Sequence, residues 1–163
     1  MSDLIGRFSL TSMEDIVNIS APLLDEGKKI RFSVVGNSMF PLLCSQRDKV
    51  TAEKALNVKR CDVILYRRND GSFVLHRVIG KGKLGYKLCG DNQLAVEYPV
   101  KPEDVVAKVT SFERKGKEYS VKVIWYRLYS FLWCWLIWLR PIGLKIIHNI
   151  HKLRKRGADD FEK

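Results

Sequence analysis

Val63-Ile64-Leu65-Tyr66-Arg67-Arg68-Asn69-Asp70-Gly71-Ser72-Phe73-Val74-Leu75-His76-Arg77-Val78-Ile79 sets the fold class of this chain. Asn69-Asp70-Gly71-Ser72 is a strong turn, because Asn and Asp bond their own backbone and glycine accepts left-handed geometry. The runs on either side are rich in β-branched and aromatic residues. Residues 63–67 and 73–79 are therefore expected to form a hairpin. On its second strand Val74, His76 and Val78 share one face, and Leu75, Arg77 and Ile79 share the other.

The same texture continues on both sides. Upstream, Ile30, Phe32 and Val34 alternate with Arg31, Ser33 and Val35, which reads as a strand. Val50 and residues 86–88 and 105–112 add short β-like runs. Lys81-Gly82-Lys83-Leu84-Gly85 and Arg114-Lys115-Gly116-Lys117 supply further turns. Turns at this frequency predict a mainly β domain over residues 30–122. Before it, residues 1–29 read as a lead-in and a short helix. Thr11 or Ser12 ahead of Glu14 and Asp15 marks a helix start, and Ile16, Ile19, Leu23 and Leu24 are expected on one face. Gly27 should end it. Residues 1–12 contain Asp3 and Arg7 and no uninterrupted apolar core, so neither a secretory signal nor an anchor is expected there.

Composition bounds the rest. The 163 residues are 46% hydrophobic, which suits one domain with an appendage and leaves no room for a separate cofactor domain. The net charge of +11 draws the chain to anionic partners. Residues 123–163 hold eight Lys/Arg against three Asp/Glu, together with all four tryptophans. Cys44, Cys61, Cys89 and Cys134 show no metal-site spacing and are too sparse for a disulfide scaffold. They are expected as reduced core thiols. A nucleophilic cysteine is the sharper alternative, but no cysteine sits in an activating context.

Three blocks carry the chemistry. Gly36-Asn37-Ser38-Met39-Phe40-Pro41 directly follows the first strand. Val74-Leu75-His76-Arg77-Val78-Ile79 is itself a strand. Gly90-Asp91-Asn92 comes next, with Glu97 six residues beyond Asp91. A serine at a strand-to-turn junction presents its hydroxyl on a bend, but it is a poor nucleophile until a base removes its proton. His76, the only histidine outside the basic tail, has chemistry suited to that work near neutral pH. Asp91 or Glu97 would hold its tautomer, and the sequence leaves both open. Singly, each block has a plainer reading, as a structural histidine or an ordinary turn.

Together the blocks resemble the type I signal peptidase family in order, spacing and context, over roughly residues 30–112. That family has Ser-Met-x-Pro after a strand, Gly-Asp-Val before the base strand, and then Gly-Asp-Asn. Its bacterial majority carries Lys-Arg-Val at the base, whereas His76-Arg77-Val78 looks like the histidine branch. The resemblance implies a signal-peptidase-like β catalytic domain with Ser38 as nucleophile and His76 as base. Asp91 matches the Gly-Asp-Asn aspartate. Glu97 stands about where histidine-branch members carry another acid. The implied activity is that of a serine endopeptidase cutting signal or leader peptides after small residues, near a membrane, with no cofactor and no metal. Three departures stand out. Cys61-Asp62-Val63 replaces Gly-Asp-Val, and Arg47-Asp48 replaces an earlier Gly-Asp. Gly36 lies where lysine-type members often place a hydroxyl. The oxyanion would then rest on backbone N–H groups, including that of Ser38, with Asn37 nearby.

The tail, residues 123–163, changes character. Residues 128–139 carry no charge, but as a helix they would measure about 18 Å, short of the ~30 Å hydrocarbon core. Trp125, Tyr126, Tyr129, Trp133, Trp135 and Trp138 are residue types that favour the headgroup level. Arg127, Arg140, Lys145, Lys152, Arg154, Lys155 and Arg156 suit anionic lipid. An amphipathic, apolar helix lying on a membrane surface through residues 123–156 is expected, with a short spanning helix or packing on protein as alternatives. The protein is then expected to be membrane-associated, peripheral or tail-anchored. Two other functions fit parts of the sequence. A self-cleaving repressor relative would use a lysine where His76 stands, and about 30 leading residues are too few for a helix-turn-helix domain. A membrane-surface protein with a decayed site would tolerate the departures at Arg47 and Cys61. Nucleic acid is not an expected partner, because the aromatic residues cluster with leucine and isoleucine.

Overall fold

The computed structural model describes residues 13–135 together with 139, 141, 142 and 145. Helix α1 (Met13–Asp25) leads into β1 (Ile30–Ser33), β2 (Lys49–Lys54), β3 (Val63–Arg67), β4 (Phe73–Gly82), β5 (Gly85–Cys89) and β6 (Glu97–Val100). A single 3-10 turn at Pro102–Asp104 precedes β7 (Val105–Arg114), β8 (Lys117–Ser120) and helix α2 (Ile124–Trp135). The eight strands form one sheet in the order β1-β2-β7-β3-β4-β5-β6, with β8 on the remaining edge of β7. Every pairing is antiparallel. The architecture is thus mainly β with two helices. The expected hairpin is β3–β4, in which Ile64 pairs with His76 and Tyr66 with Val74.

Register shifts at Thr51/Ala52, Leu65/Tyr66, Val78/Gly80 and Tyr86/Leu88 bend the sheet. The bent sheet buries apolar residues on both faces, in two cores. One gathers Phe32, Val50, Leu65, Leu75 and Phe112 under α1 and α2. The other gathers Ile64, Tyr66, Val78, Leu88 and Val100. Residues 63–66 are all buried for this reason, where a half-solvated strand would alternate.

Four features differ from the sequence reading. In α1 the residues turned to the core are Val17, Ser20 and Leu24, while Ile19 and Leu23 are exposed. The helix packs on β1, β2 and β7 through positions three and four apart, one step round from the expected stripe. Gly27 does end it, at φ 75°, where Gly27 and Lys28 bond back to the Leu24 and Leu23 carbonyls. Strands β6 and β8 were not expected. Pro99 masks the first, an edge strand, and the polar sequence Lys-Glu-Tyr-Ser masks the second.

The fourth difference concerns the tail. Tyr126, Ser130 and Cys134 of α2 are buried against the sheet, and Tyr129 and Trp133 are half-buried. These three aromatics therefore meet the sheet, whereas Trp125 stays exposed. Ile124, Leu128, Phe131, Leu132 and Trp135 face outward instead. The change in composition near residue 123 is not a break in packing. Among the described residues no helix is long and apolar enough to cross a membrane. Residues 1–12, Trp138, Arg140 and the basic run 144–156 apart from Lys145 lie outside the described residues.

Candidate active site

Ser38 sits in a tight turn after β1. Met39, Leu42 and Leu43 plug that turn into the core, each at most 2% exposed, and the Leu43 N–H bonds to the Met39 carbonyl at 2.9 Å. The fully buried Asp48 fixes the far side of the turn. Its Oδ2 accepts the Cys44 N–H at 2.8 Å, and its backbone carbonyl accepts the Val34 N–H. Burial works against its charge. Hydrogen bonds from the Arg47 guanidinium and the Cys44 N–H nevertheless keep Asp48 below the usual carboxylate range.

The Gly90-Asp91-Asn92 loop grips the same turn from the front. The Asn92 N–H donates to the Ser38 carbonyl at 2.8 Å, and Asn92 Nδ2 donates to the Asn37 carbonyl at 3.1 Å. A Cβ on Gly90 would stand 2.7 Å from the Ser38 carbonyl oxygen, so only glycine fits. The Ser38 N–H bonds to none of the described residues.

His76 lies in the middle of β4, fully buried. Its Nδ1 is 3.2 Å from Glu97 Oε1 and 3.1 Å from the Tyr66 hydroxyl. Tyr66 donates its own hydrogen to Glu97 Oε2 at 2.6 Å, so its oxygen is left to accept. Arg68 completes the cluster, with a 2.9 Å bond from Nε to Glu97 Oε2 and a second from Nη2 to Oε1. With a carboxylate and an acceptor oxygen around it, Nδ1 carries the ring proton. Nε2 is then a bare acceptor, and it is buried with no hydrogen-bond partner. An orphaned buried nitrogen is costly unless it has a task.

The charges follow from this packing. The Arg68 guanidinium, helped by the Tyr66 hydroxyl, holds Glu97 below the usual carboxylate range against partial burial. Burial and the Glu97 carboxylate push the Tyr66 hydroxyl well above its ordinary value. Burial pushes the His76 imidazole down to about 4, with Glu97 pulling it back up and Arg68 pushing it further down. The free site therefore holds a neutral imidazole beside an ionised glutamate.

Of the two acids left open by the sequence, Glu97 is brought to His76 and Asp91 is not. Asp91 is fully buried in a bidentate pair with Arg77 (Nε to Oδ1 2.8 Å, Nη2 to Oδ2 2.7 Å) on the opposite face of β4. Helix α2 closes over this pair. Arg77 Nη1 donates to Ser130 Oγ at 2.8 Å and to the Cys61 carbonyl at 3.0 Å. The Tyr129 hydroxyl donates to Asp91 Oδ2 at 3.1 Å, and Trp133 Nε1 donates to the Asp91 carbonyl at 2.9 Å. Neighbouring residues thus serve both sides of the strand: His76 meets Glu97, and Arg77 and Asp91 meet α2.

Tyr66, Arg68 and the inward residues of α2 escaped the sequence reading. The hairpin register carried a signal for Tyr66, since it lies two residues from the His76 partner Ile64, on the same face. A cleft of about 130 Å³ runs beside Ser38. Val34 and Val35 line one wall, and Phe73, Val74 and Leu75 line the other. Strand β1 pairs only with β2, and β4 meets β5 only from Arg77 onward. On the first wall the Val34 N–H and C=O are taken by the Asp48 carbonyl and the Gln46 N–H, whereas residues 73–76 of β4 have a strand partner on one side alone. None of the four cysteines is in a disulfide; Cys89 and Cys134 are buried and Cys44 and Cys61 half-buried. Among the described residues no cluster of three His, Cys, Asp or Glu side chains could hold a metal ion. No protein-family model, curated protein or solved structure matches the chain.

Proposed function

We propose that this chain is a serine endopeptidase similar to the histidine-base type I signal peptidases, acting on extended peptide segments at a membrane surface. The observation that carries the reading is the His76 ring. Its Nδ1 proton is held by Glu97 and Tyr66, and its Nε2 lone pair is buried and unbonded. A substrate strand would lie in the cleft between β1 and β4 and take main-chain hydrogen bonds along the open edge of β4. A space of about 130 Å³ beside Ser38 suits a small side chain next to the cut.

In the reaction Ser38 Oγ attacks the scissile carbonyl while His76 Nε2 takes the hydroxyl proton. Glu97 stabilises the imidazolium and holds its orientation. The Ser38 N–H faces the developing oxyanion. His76 then returns the proton to the leaving amine, and water releases the acyl group by the reverse sequence. Arg77 and Asp91 act at a distance, by fixing β4 and the Asn92 contact to the Ser38 turn. The outward apolar face of α2 supports a seat on the bilayer surface.

Labelling with a fluorophosphonate probe, followed by incubation with a peptide library read by mass spectrometry, tests the reading. Wild-type protein should label at Ser38 and cleave, and Ser38→Ala should do neither while keeping its melting temperature. A folded wild-type protein that neither labels nor cleaves any peptide would favour a non-catalytic membrane-surface role.

A further inference from the structure

A groove of about 630 Å³ lies between α2 and the strands β3 and β7, away from Ser38. Val63, Val109, Val121, Tyr126 and Phe131 wall it with apolar surface. Lys59, Arg60, Lys122 and Arg127 stand around its rim, against the one carboxylate of Asp62. Asp62 is already engaged, accepting the Lys59 N–H at 2.8 Å with Lys108 Nζ 4.0 Å away. Among the described residues the side chains of Lys59, Lys122 and Arg127 make no ion pair or hydrogen bond. Arg60 is held in place, with its guanidinium 4.3 Å over the Trp135 ring and Nη2 donating to the Cys134 carbonyl at 3.2 Å.

The groove does not stop at its rim. Phe131 belongs both to its wall and to the outer face of α2, where Leu128, Leu132 and Trp135 are also exposed. Uncommitted cations therefore border a continuous apolar surface. Nucleic acid or an acidic peptide would meet the cations but would leave that surface in water. An anionic headgroup joined to acyl chains satisfies both parts.

We propose that this groove binds the headgroup of an anionic phospholipid, with the acyl chains along the outer face of α2. The inference rests on the membrane-surface part of the function proposed above and is independent of its chemistry. It assigns Lys59, Lys122 and Arg127 as headgroup ligands and the stacked Arg60 as the hinge between groove and apolar face.

The test uses the full-length protein and flotation with vesicles of phosphatidylcholine alone or with one part in four phosphatidylglycerol. Wild-type protein should prefer the phosphatidylglycerol vesicles. The triple variant Lys59→Gln, Lys122→Gln, Arg127→Gln should lose about 10- to 100-fold in affinity for them. A triple variant Lys81→Gln, Lys83→Gln, Lys87→Gln on the β4–β5 hairpin removes the same charge outside the groove and should bind like wild type. Cleavage of a soluble peptide should be equal in all three, which separates a failure here from a failure of the peptidase reading. Equal loss in the two triple variants would overturn the site, because attraction would then be diffuse. Equal wild-type binding to both vesicles would overturn it as well. So would full release from the vesicles by a short polyglutamate peptide at matched ionic strength, which would make the occupant an acidic peptide.

Discussion

Acidification is the perturbation that reads the His76 site most directly. An imidazole in the unfolded chain titrates near 6.5, and burial in the folded protein pushes that of His76 down to about 4. Between those values the unfolded chain takes up a proton that the folded protein refuses. Stability should therefore fall as pH drops below about 6.5 and stop falling on this account near 4. At roughly 1.4 kcal/mol per pH unit the loss is about 3 kcal/mol. Glu97 and Asp48, held below the usual carboxylate range, act in the same direction only at lower pH. Urea unfolding of wild type and His76→Gln across this range isolates the effect, since only wild type has the buried ring. The rate should tell the same story: kcat/KM for a soluble peptide should stay level to about pH 5 and halve near 4. A midpoint near 6.5, or parallel stability curves for the two proteins, would mean that His76 is hydrated and that Nε2 is not waiting for the Ser38 hydroxyl.

The two acids should separate cleanly. Glu97→Gln should leave the fold intact and lower kcat by about 100-fold or more, because the ring loses its orienting charge. Asp91→Asn should instead lower stability by about 3–5 kcal/mol, since it strands the buried Arg77, and thermal melts beside kinetics will tell them apart. Arg68→Gln removes the cation that lowers the His76 value, so the acid limb of the pH–rate profile should move to higher pH. Trp133→Phe removes the N–H held by the Asp91 carbonyl and should destabilise the protein by about 1–3 kcal/mol, read by urea unfolding.

The sequence made the hairpin legible because its turn chemistry and its alternation agree. Ser38 and His76 stood out because one lies at a strand-to-turn junction and the other is the only histidine outside the basic tail. The choice between Asp91 and Glu97 was not legible. Both follow β5 within a few residues, and only the path of the loop decides which carboxylate crosses to His76 and which to Arg77. Arg68 stands beside a turn with no motif to mark it, yet it fixes the charge of Glu97. The tail was only partly legible, for a physical reason. Tyrosine and tryptophan have one apolar body and one polar tip, which suits a bilayer surface and a buried ion pair equally well. Composition could not show that Tyr126, Tyr129 and Trp133 spend their polar tips on Arg77 and Asp91. Cys61 hides a similar message. It holds φ at 76°, in the left-handed region that favours glycine, at the position where the resembled family places glycine.

The clasp of α2 on Arg77 and Asp91 has a consequence for how the protein holds together. One side of this helix meets the strand that carries His76, and its other side is apolar and open. The seating of the helix is therefore a single equilibrium shared by whatever coats the outer face and by the integrity of the strand beneath it. A surface that favours the seated helix should add its binding free energy to the stability of the whole domain. A detergent micelle that favours the helix lifted away should subtract from it and expose the arginine–aspartate pair to water. Hydrogen exchange at the β4 amides would register either shift before the rest of the sheet responds.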